Sequence, residues 1–382
     1  MSSAALVLGF SLPNGTRCMT INSTKTRGKK TRILSVATAE PEYTRTTDEL
    51  LPLVELWLLN EPERFREKVK RLFRYAGVDR RYSIFQPEEV FSGQSFADRN
   101  RIYIERMLPL AEQALRSSLD KAGLTPQELD VLVTTSCTGI TIPGLDAMLI
   151  NRVGLRQDIL RLPVFQMGCA GGVAGTIYAK HMLESSESGS AAVLSLESPV
   201  TTLQPNDHSM ANMVSAAIFG DGVACAVVSK RRDLGSGPVI ADAGMYHFPQ
   251  AEHLMGFELV DKGLKMVLDP TVPEHIDQHF KALTGPFLSR NGLSLKDIHQ
   301  FIFHPGGRKI LQRVEELLTP LGKNVQASKD VLREHGNMSS ATVLYVLDRV
   351  LKSKHSAEEY GLMLSFGPGF TAQRILLRWE EE

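Results

Sequence analysis

Two stretches of the chain read as copies of one unit, and that repetition limits the fold more than any other feature. Leu119-Asp-Lys-Ala-Gly-Leu-Thr-Pro-Gln-Glu-Leu129 and Leu288-Ser-Arg-Asn-Gly-Leu-Ser-Leu-Lys-Asp-Ile298 each end a helix on Gly, restart on Thr or Ser, and lead into an apolar strand. Gly123 and Gly292 set the offset at 169 (292 − 123). Nearly the same offset places Gly168-Cys169 against Gly336-Asn337, where the difference is 168 (337 − 169). It also sets the strand end at Thr135/Ser136 opposite His304. Three matches in order at an almost constant spacing point to a duplicated α/β unit with the active site between the copies.

Apolar runs bounded by turn residues alternate with amphipathic stretches, the α/β signature. The pattern predicts strands at Asp130–Ser136, Ala191–Glu197, Val223–Ser229, Gln300–His304, Gly361–Phe366 and Arg374–Trp379. It predicts helices at Ile104–Ala122, Ala170–Glu187, Glu274–Asn291, Lys309–Leu318 and Ser340–Leu351. Charge and Gly/Pro punctuation coincide between Ser229 and Pro238. The chain therefore divides into a variable leader (1–30), an N-terminal half (31–234) and a C-terminal half (235–382).

Forty-three basic residues balance 43 acidic ones, so no global field attracts nucleic acid or an anionic membrane. Cys18, Cys137, Cys169 and Cys225 form no C-x-x-C pair and no zinc spacing, and so read as reduced intracellular thiols. The mild apolar run Ala4 to Leu12 has no basic residues ahead of it and Arg27, Lys29 and Lys30 behind it, the wrong order for a secretory signal. No apolar run approaches the roughly 20 residues that span a bilayer. A cytoplasmic protein is expected.

Three residues carry candidate chemistry. Cys169 lies in Gly168-Cys-Ala-Gly-Gly172, where an apolar segment gives way to a small-residue helix. Unpaired N–H groups at such a helix start favour thiolate, lowering the pKa below about 8.5, and the small neighbours let a substrate approach the sulfur. Most lone cysteines are simply small buried hydrophobes; the Gly-Cys-Ala-Gly-Gly setting argues otherwise here. His304 alone among ten histidines ends a fully apolar strand, Phe301-Ile-Phe-His304, and precedes Pro305-Gly-Gly307. A neutral imidazole there can take a thiol proton and later donate to an oxyanion. Asn337, in His335-Gly-Asn-Met-Ser-Ser-Ala341, reads by itself as a helix cap. As the duplicated counterpart of Cys169 it becomes a candidate oxyanion donor.

Arg64, Arg66, Lys68, Lys70, Arg71 and Arg74 are threaded by Phe65, Val69, Leu72 and Phe73 at helical spacing. They form either one solvated helix face or a docking site for the phosphates of coenzyme A.

Gly-Cys-Ala-Gly-Gly, His-Pro-Gly-Gly, Gly-Asn-Met-Ser-Ser-Ala and Phe366-Gly-Pro-Gly369 occur here in one order, and Phe219-Gly-Asp-Gly222 also fits. In that order they resemble the chalcone-synthase-like type III polyketide synthases, from about Thr31 to Trp379. Thr135-Ser-Cys-Thr-Gly139 is more similar to the microbial and fungal branch than to the plant one. The resemblance implies a thiolase-like fold of layered αβαβα type, a homodimer, and acyl-CoA and malonyl-CoA as substrates with no other cofactor. It makes Cys169 the acyl carrier. His304 and Asn337 would polarise the thioester carbonyl during malonyl-CoA decarboxylation and stabilise the enolate. Lys68 and Arg71 match positions that contact CoA phosphates; Tyr75 stands at a third, with Arg74 beside it. Backbone amides of Gly307 and Arg308 would hold the pantetheine arm.

The resemblance also places a substrate pocket at Cys137, Thr138, Thr202, Ser215, Phe219, Phe257, Met266, Ser339 and Pro368, with Ile142 reaching into the partner subunit. The pocket departs from the plant pattern. Met266 replaces a gatekeeper Phe, Ser215 and Phe257 replace glycines, and Cys137 replaces a Thr. A flexible Met beside small residues fits an aliphatic starter, with a tunnel mouth at Cys137 and an alkylpyrone or alkylresorcinol-like product. A ketoacyl carrier-protein synthase of the type III class is the nearest alternative, but its histidine is followed by Gln-Ala-Asn. A hydroxymethylglutaryl-CoA synthase would need a carboxylate near the cysteine, and none stands at a matching position. An inactive acyl-CoA-binding homologue would not keep all three residues.

Overall fold

The computed structural model describes residues 30–185 and 189–381, so the leader and Cys18 lie outside the described residues, as does the predicted end of the helix after Cys169. Nine strands run in the order Gln300–Phe303, Tyr360–Gly367, Thr371–Arg378, Val239–His247, Arg32–Ala39, Gly222–Ser229, Ser190–Glu197, Val131–Thr135, Leu160–Val164. The two central strands meet at a single pair, Arg32 with Val239. The arrangement is thus two sheets stapled at one corner.

Moving outward from that corner, the pairings on each side are antiparallel, antiparallel, then parallel. Val131–Thr135 and Gln300–Phe303 occupy equivalent fourth places, as the sequence offset required. Only the N-terminal side adds a further edge strand, Leu160–Val164, beyond that place.

Strand alternation builds the layers. In the fully buried strand Ser190–Glu197, Ala191 and Val193 face one core while Ala192, Leu194 and Leu196 face another. The first core lies between the sheets and contains Val173 and Ile177 of helix Gly171–Met182 and Val343 to Leu347 of helix Thr342–Leu351. The second is covered by helix Phe96–Ala122, capped by Ser95 and stopped by Gly123 in a left-handed conformation. On the far side, helices Val272–Ser289 and Arg308–Leu318 cover the C-terminal sheet. Helix, sheet, helix pair, sheet, helix is the order of layers.

Boundaries shift where apolar periodicity misleads. The long outer helix begins at Phe96 rather than Ile104, because the polar run Asp98-Arg-Asn-Arg101 interrupts the apolar pattern in its first two turns. The last strand is Thr371–Arg378, beginning earlier in polar residues that pair with Val239–His247. The hairpin of Met255–Val260 with Gly263–Leu268 stands apart from the main sheet.

Candidate active site

Both central helices are approached through a tight turn, Gly168–Ala170 before one and Ser339–Ala341 before the other. Gly171 and Gly172 let these turns touch. A Cβ at Gly171 would stand 2.8 Å from the Ser340 Cβ, and one at Gly172 would run into the Ser340 carbonyl. The glycines after Cys169 therefore serve the approach of the two halves, rather than access to the sulfur. Gly168 has φ of 48° and its missing side chain makes room for Pro368.

Cys169, His304 and Asn337 line one chamber. Cys137, Thr138, Phe219, Phe257, Met266, Ser339 and Pro368 line it too. The His304 backbone is pinned by its N–H to the Leu364 carbonyl (2.9 Å) and by Gly306 N–H donating to its own carbonyl (3.0 Å). His304 is 3% exposed, and neither ring nitrogen has a partner among the described residues. Unpartnered buried nitrogens are costly, so they mark where a substrate hydrogen bond belongs.

Asn337 is both cap and donor. Its backbone bridges to Phe219, through its N–H to Ile218 O (2.8 Å) and Gly220 N–H to its carbonyl (3.1 Å). Its Oδ1 accepts from Ser339 N–H (2.8 Å) and the Thr342 hydroxyl (3.4 Å). That fixes the amide orientation and leaves Nδ2 near the Gly306 carbonyl at 3.4 Å, on the chamber side.

The expectation of a lowered cysteine pKa is overturned. Burial pushes the Cys169 thiol up to about 12, against the pull of Ser339 and Asn337 hydrogen bonds. Burial also pushes His304 down to about 3. Burial thus favours the neutral thiol and the neutral imidazole, and it outweighs the short helix-start turn.

A carboxylate does lie behind the cysteine. Glu197 is fully buried and accepts from Cys137 N–H (3.1 Å), the Thr138 hydroxyl (2.7 Å) and the Ser340 N–H and hydroxyl. Burial raises its pKa, and its charge helps raise that of Cys169. It joins strand end, pocket loop and second central turn without lining the chamber. A charged residue ending the run Ala191–Leu196, apolar but for Ser195, was the available signal. Cys137 packs into this network, its sulfur 3.4 Å from the Ser339 hydroxyl and 3.6 Å from Glu197. Burial, and then the Glu197 charge, hold its thiol far above the ordinary range.

Thr202 and Ser215 do not face the catalytic chamber. They line a second, apolar chamber with Leu50, Leu53, Trp57 and Val90, and Cys137 is absent from it. Pro199, Phe219 and Met266 belong to both chambers and form the partition. Apolar space therefore continues past Met266, not past Cys137 as expected.

The basic cluster forms helix Glu63–Tyr75 and divides in two. Arg66 and Lys70 pair with Glu55 of the neighbouring helix (2.7 Å each). Lys68, Arg71 and Arg74 are exposed and make no ion pair among the described residues. Arg308 packs beside Gly77, just past this helix, and the flanking Gly306 and Ile310 line the chamber. Ile142 is 98% exposed and does not line the chamber, close in sequence to exposed Ile140.

Comparison with known proteins agrees with this geometry. Residues 19–231 match the family "Chalcone and stilbene synthases, N-terminal domain", and residues 240–379 match its C-terminal domain. A 1,3,6,8-tetrahydroxynaphthalene synthase of Streptomyces peucetius subsp. caesius is 37% identical over 354 residues, covering 91% of this chain and 93% of its own. A phloroglucinol synthase of Pseudomonas fluorescens is 31% identical over 317 residues, covering 81% and 88%. The crystal structure of the Streptomyces coelicolor 1,3,6,8-tetrahydroxynaphthalene synthase, a bacterial type III polyketide synthase, superposes with a TM-score of 0.86 at 29% identity, covering 92% of this chain and 100% of that one. The layered architecture is accordingly the thiolase-like fold, and the chain belongs to the chalcone and stilbene synthase family of type III polyketide synthases, malonyl-CoA-dependent acyltransferases.

Proposed function

We propose that Cys169 carries the growing acyl chain while His304 and Asn337 hold the reacting carbonyl oxygens. The observation that carries this reading is the convergence of the three side chains on one buried chamber, with both His304 nitrogens unpartnered. The thiol proton passes to His304, the sulfur attacks the acyl-CoA carbonyl carbon, and coenzyme A leaves with that proton. Malonyl-CoA then loses carbon dioxide, and the bonding pair becomes an enolate whose oxygen accepts from the His304 N–H and Asn337 Nδ2. The enolate carbon attacks the acyl carbonyl, breaking its bond to Cys169. Lys68, Arg71 and Arg74 dock the CoA phosphates at the rim, and amides near Gly307 and Arg308 hold the pantetheine. Loss of the acyl adduct in Cys169→Ala, read by intact-protein mass spectrometry, tests the nucleophile; an adduct persisting on the variant overturns it.

For the starter we favour a medium to long aliphatic acyl or β-ketoacyl group, giving an alkylpyrone or alkylresorcinol-like product. The second apolar chamber behind Met266 supports this reading. A compact polyhydroxylated arene is the second reading, favoured by the named products of the two bacterial relatives and by the bulk of Phe257 in the catalytic chamber. Malonyl-CoA incubated alone and with acyl-CoAs of graded length, followed by product masses, separates the two. The enzyme acts in the cytoplasm as a homodimer, with 31–234 and 235–382 as its two halves. Exposed Ile140, Ile142 and Phe165, the last directly after the edge strand Leu160–Val164, supply an apolar contact face.

A further inference from the structure

Arg99 is a buried cation with no carboxylate partner. It is 4% exposed, lies in the first turn of helix Phe96–Ala122, and forms no ion pair among the described residues. Burying an unpaired guanidinium is costly, so its hydrogen bonds must serve something. One Nη donates to the Leu203 carbonyl, in the loop that carries Thr202. The other donates to Lys262 O (3.1 Å), at the turn of the Met255–Leu268 hairpin. Gln204 Nε2 reaches the same Lys262 carbonyl and that of Leu264, both at 3.4 Å. Asn212 holds Gln204 in turn, donating to its carbonyl (2.8 Å). At the same turn, Gly263 has φ of 116°, and a Cβ there would stand 2.5 Å from the Phe96 ring.

Away from its tip the hairpin is held by side chains alone: Met255 and Leu268 pack on the C-terminal core, and Lys265 pairs with Asp207 (3.7 Å). It is hydrogen-bonded to no strand of the main sheet, yet Met255, Gly256, Phe257, Met266 and Leu268 all line the catalytic chamber. Phe257 and Met266 are register partners across it. The wall facing Cys169 is thus a two-stranded ribbon, marginal by itself, latched at its tip.

We propose that Arg99 is a positioning residue whose latch on Lys262 and Leu203 keeps the hairpin closed against the Thr202–Gln204 loop. It thereby excludes water from the growing chain and sets how many extensions finish before release. This rests on the polyketide-synthase reading of the chamber. Opening the latch lets water attack the acyl-Cys169 carbonyl, freeing the thiol and a shorter carboxylic acid.

The test compares Arg99→Gln and Arg99→Lys in the full chain by two readouts, hydrogen exchange of residues 256–266 and the share of early-released acids among products. Arg99→Gln should speed exchange in the hairpin by about tenfold or more, with the nine-stranded sheet unchanged. The early-released share should rise about threefold while the Cys169 acylation rate stays within about twofold, and Arg99→Lys should restore much of both. If Arg99→Gln does not fold, Gln204→Leu removes the neighbouring bonds to Lys262 and Leu264 and should move both readouts the same way. Unchanged hairpin exchange overturns the latch. So does faster exchange with an unaltered product pattern, or a uniform loss of Tm and kcat. If the wild type makes no polyketide, the reading of the chamber fails, and hairpin exchange alone decides the latch.

Discussion

Gly172 packs directly beneath the Ser340 carbonyl, at the point where the two halves of the protein touch. This contact sets the spacing between the turn bearing Cys169 and the turn that follows Asn337. Gly172→Ala has no space for its methyl group against backbone atoms that cannot rotate away. We expect a loss of about 2 kcal/mol in urea unfolding and a slower Cys169 acylation. A variant as stable and as reactive as wild type would show that the halves are not fixed by this contact.

Acid should weaken the fold through His304. Its ordinary pKa is 6.5, and burial holds it to about 3 in the folded state. Between these values the unfolded chain binds a proton that the native ring refuses. Stability is therefore intact above pH 6.5 and falls as pH drops toward 3, by up to about 1 kcal/mol per pH unit. His304→Gln should flatten that limb relative to wild type. His335, held at about 4 by burial, remains in both proteins and cancels in the comparison.

Neutralising Lys68 and Arg71 together should raise KM for CoA thioesters and weaken its salt dependence, because both side chains are exposed and make no ion pair among the described residues. Short pantetheine thioesters lack the phosphates and should react nearly as before. Equal losses on both substrates would assign the helix to structure instead.

Chain length reads out the second chamber. Each methylene buried there is worth about 0.8 kcal/mol, or roughly fourfold in kcat/KM. Leu53→Trp, which fills that chamber, should cost long-chain starters at least about tenfold and leave acetyl-CoA little changed. Cys137→Trp, in the catalytic chamber alone, should impair all lengths together. If Leu53→Trp treats every length alike, the aliphatic reading fails and the compact arene gains.

The chain by itself determined the duplication and the strand and helix alternation, and it made Cys169 and His304 candidates, since each rests on local pattern: a Gly stop, an apolar run, a small-residue turn; Asn337 became one only through the duplicated offset. It could not assign Glu197, whose meaning depends on Cys137, Thr138 and Ser340 arriving at one buried carboxylate from distant segments. Nor could it foresee the protonation of the site. A helix start is visible in sequence and argues for thiolate; the desolvation that reverses it exists only once two sheets close over the turn. Arg99 lies ahead of the predicted helix start at Ile104, one more charge in a polar stretch, until packing removes it from water and leaves two carbonyls to hold it. Local geometry follows from neighbouring residues, whereas burial is a property of the whole fold, and burial decides what charge each group here carries.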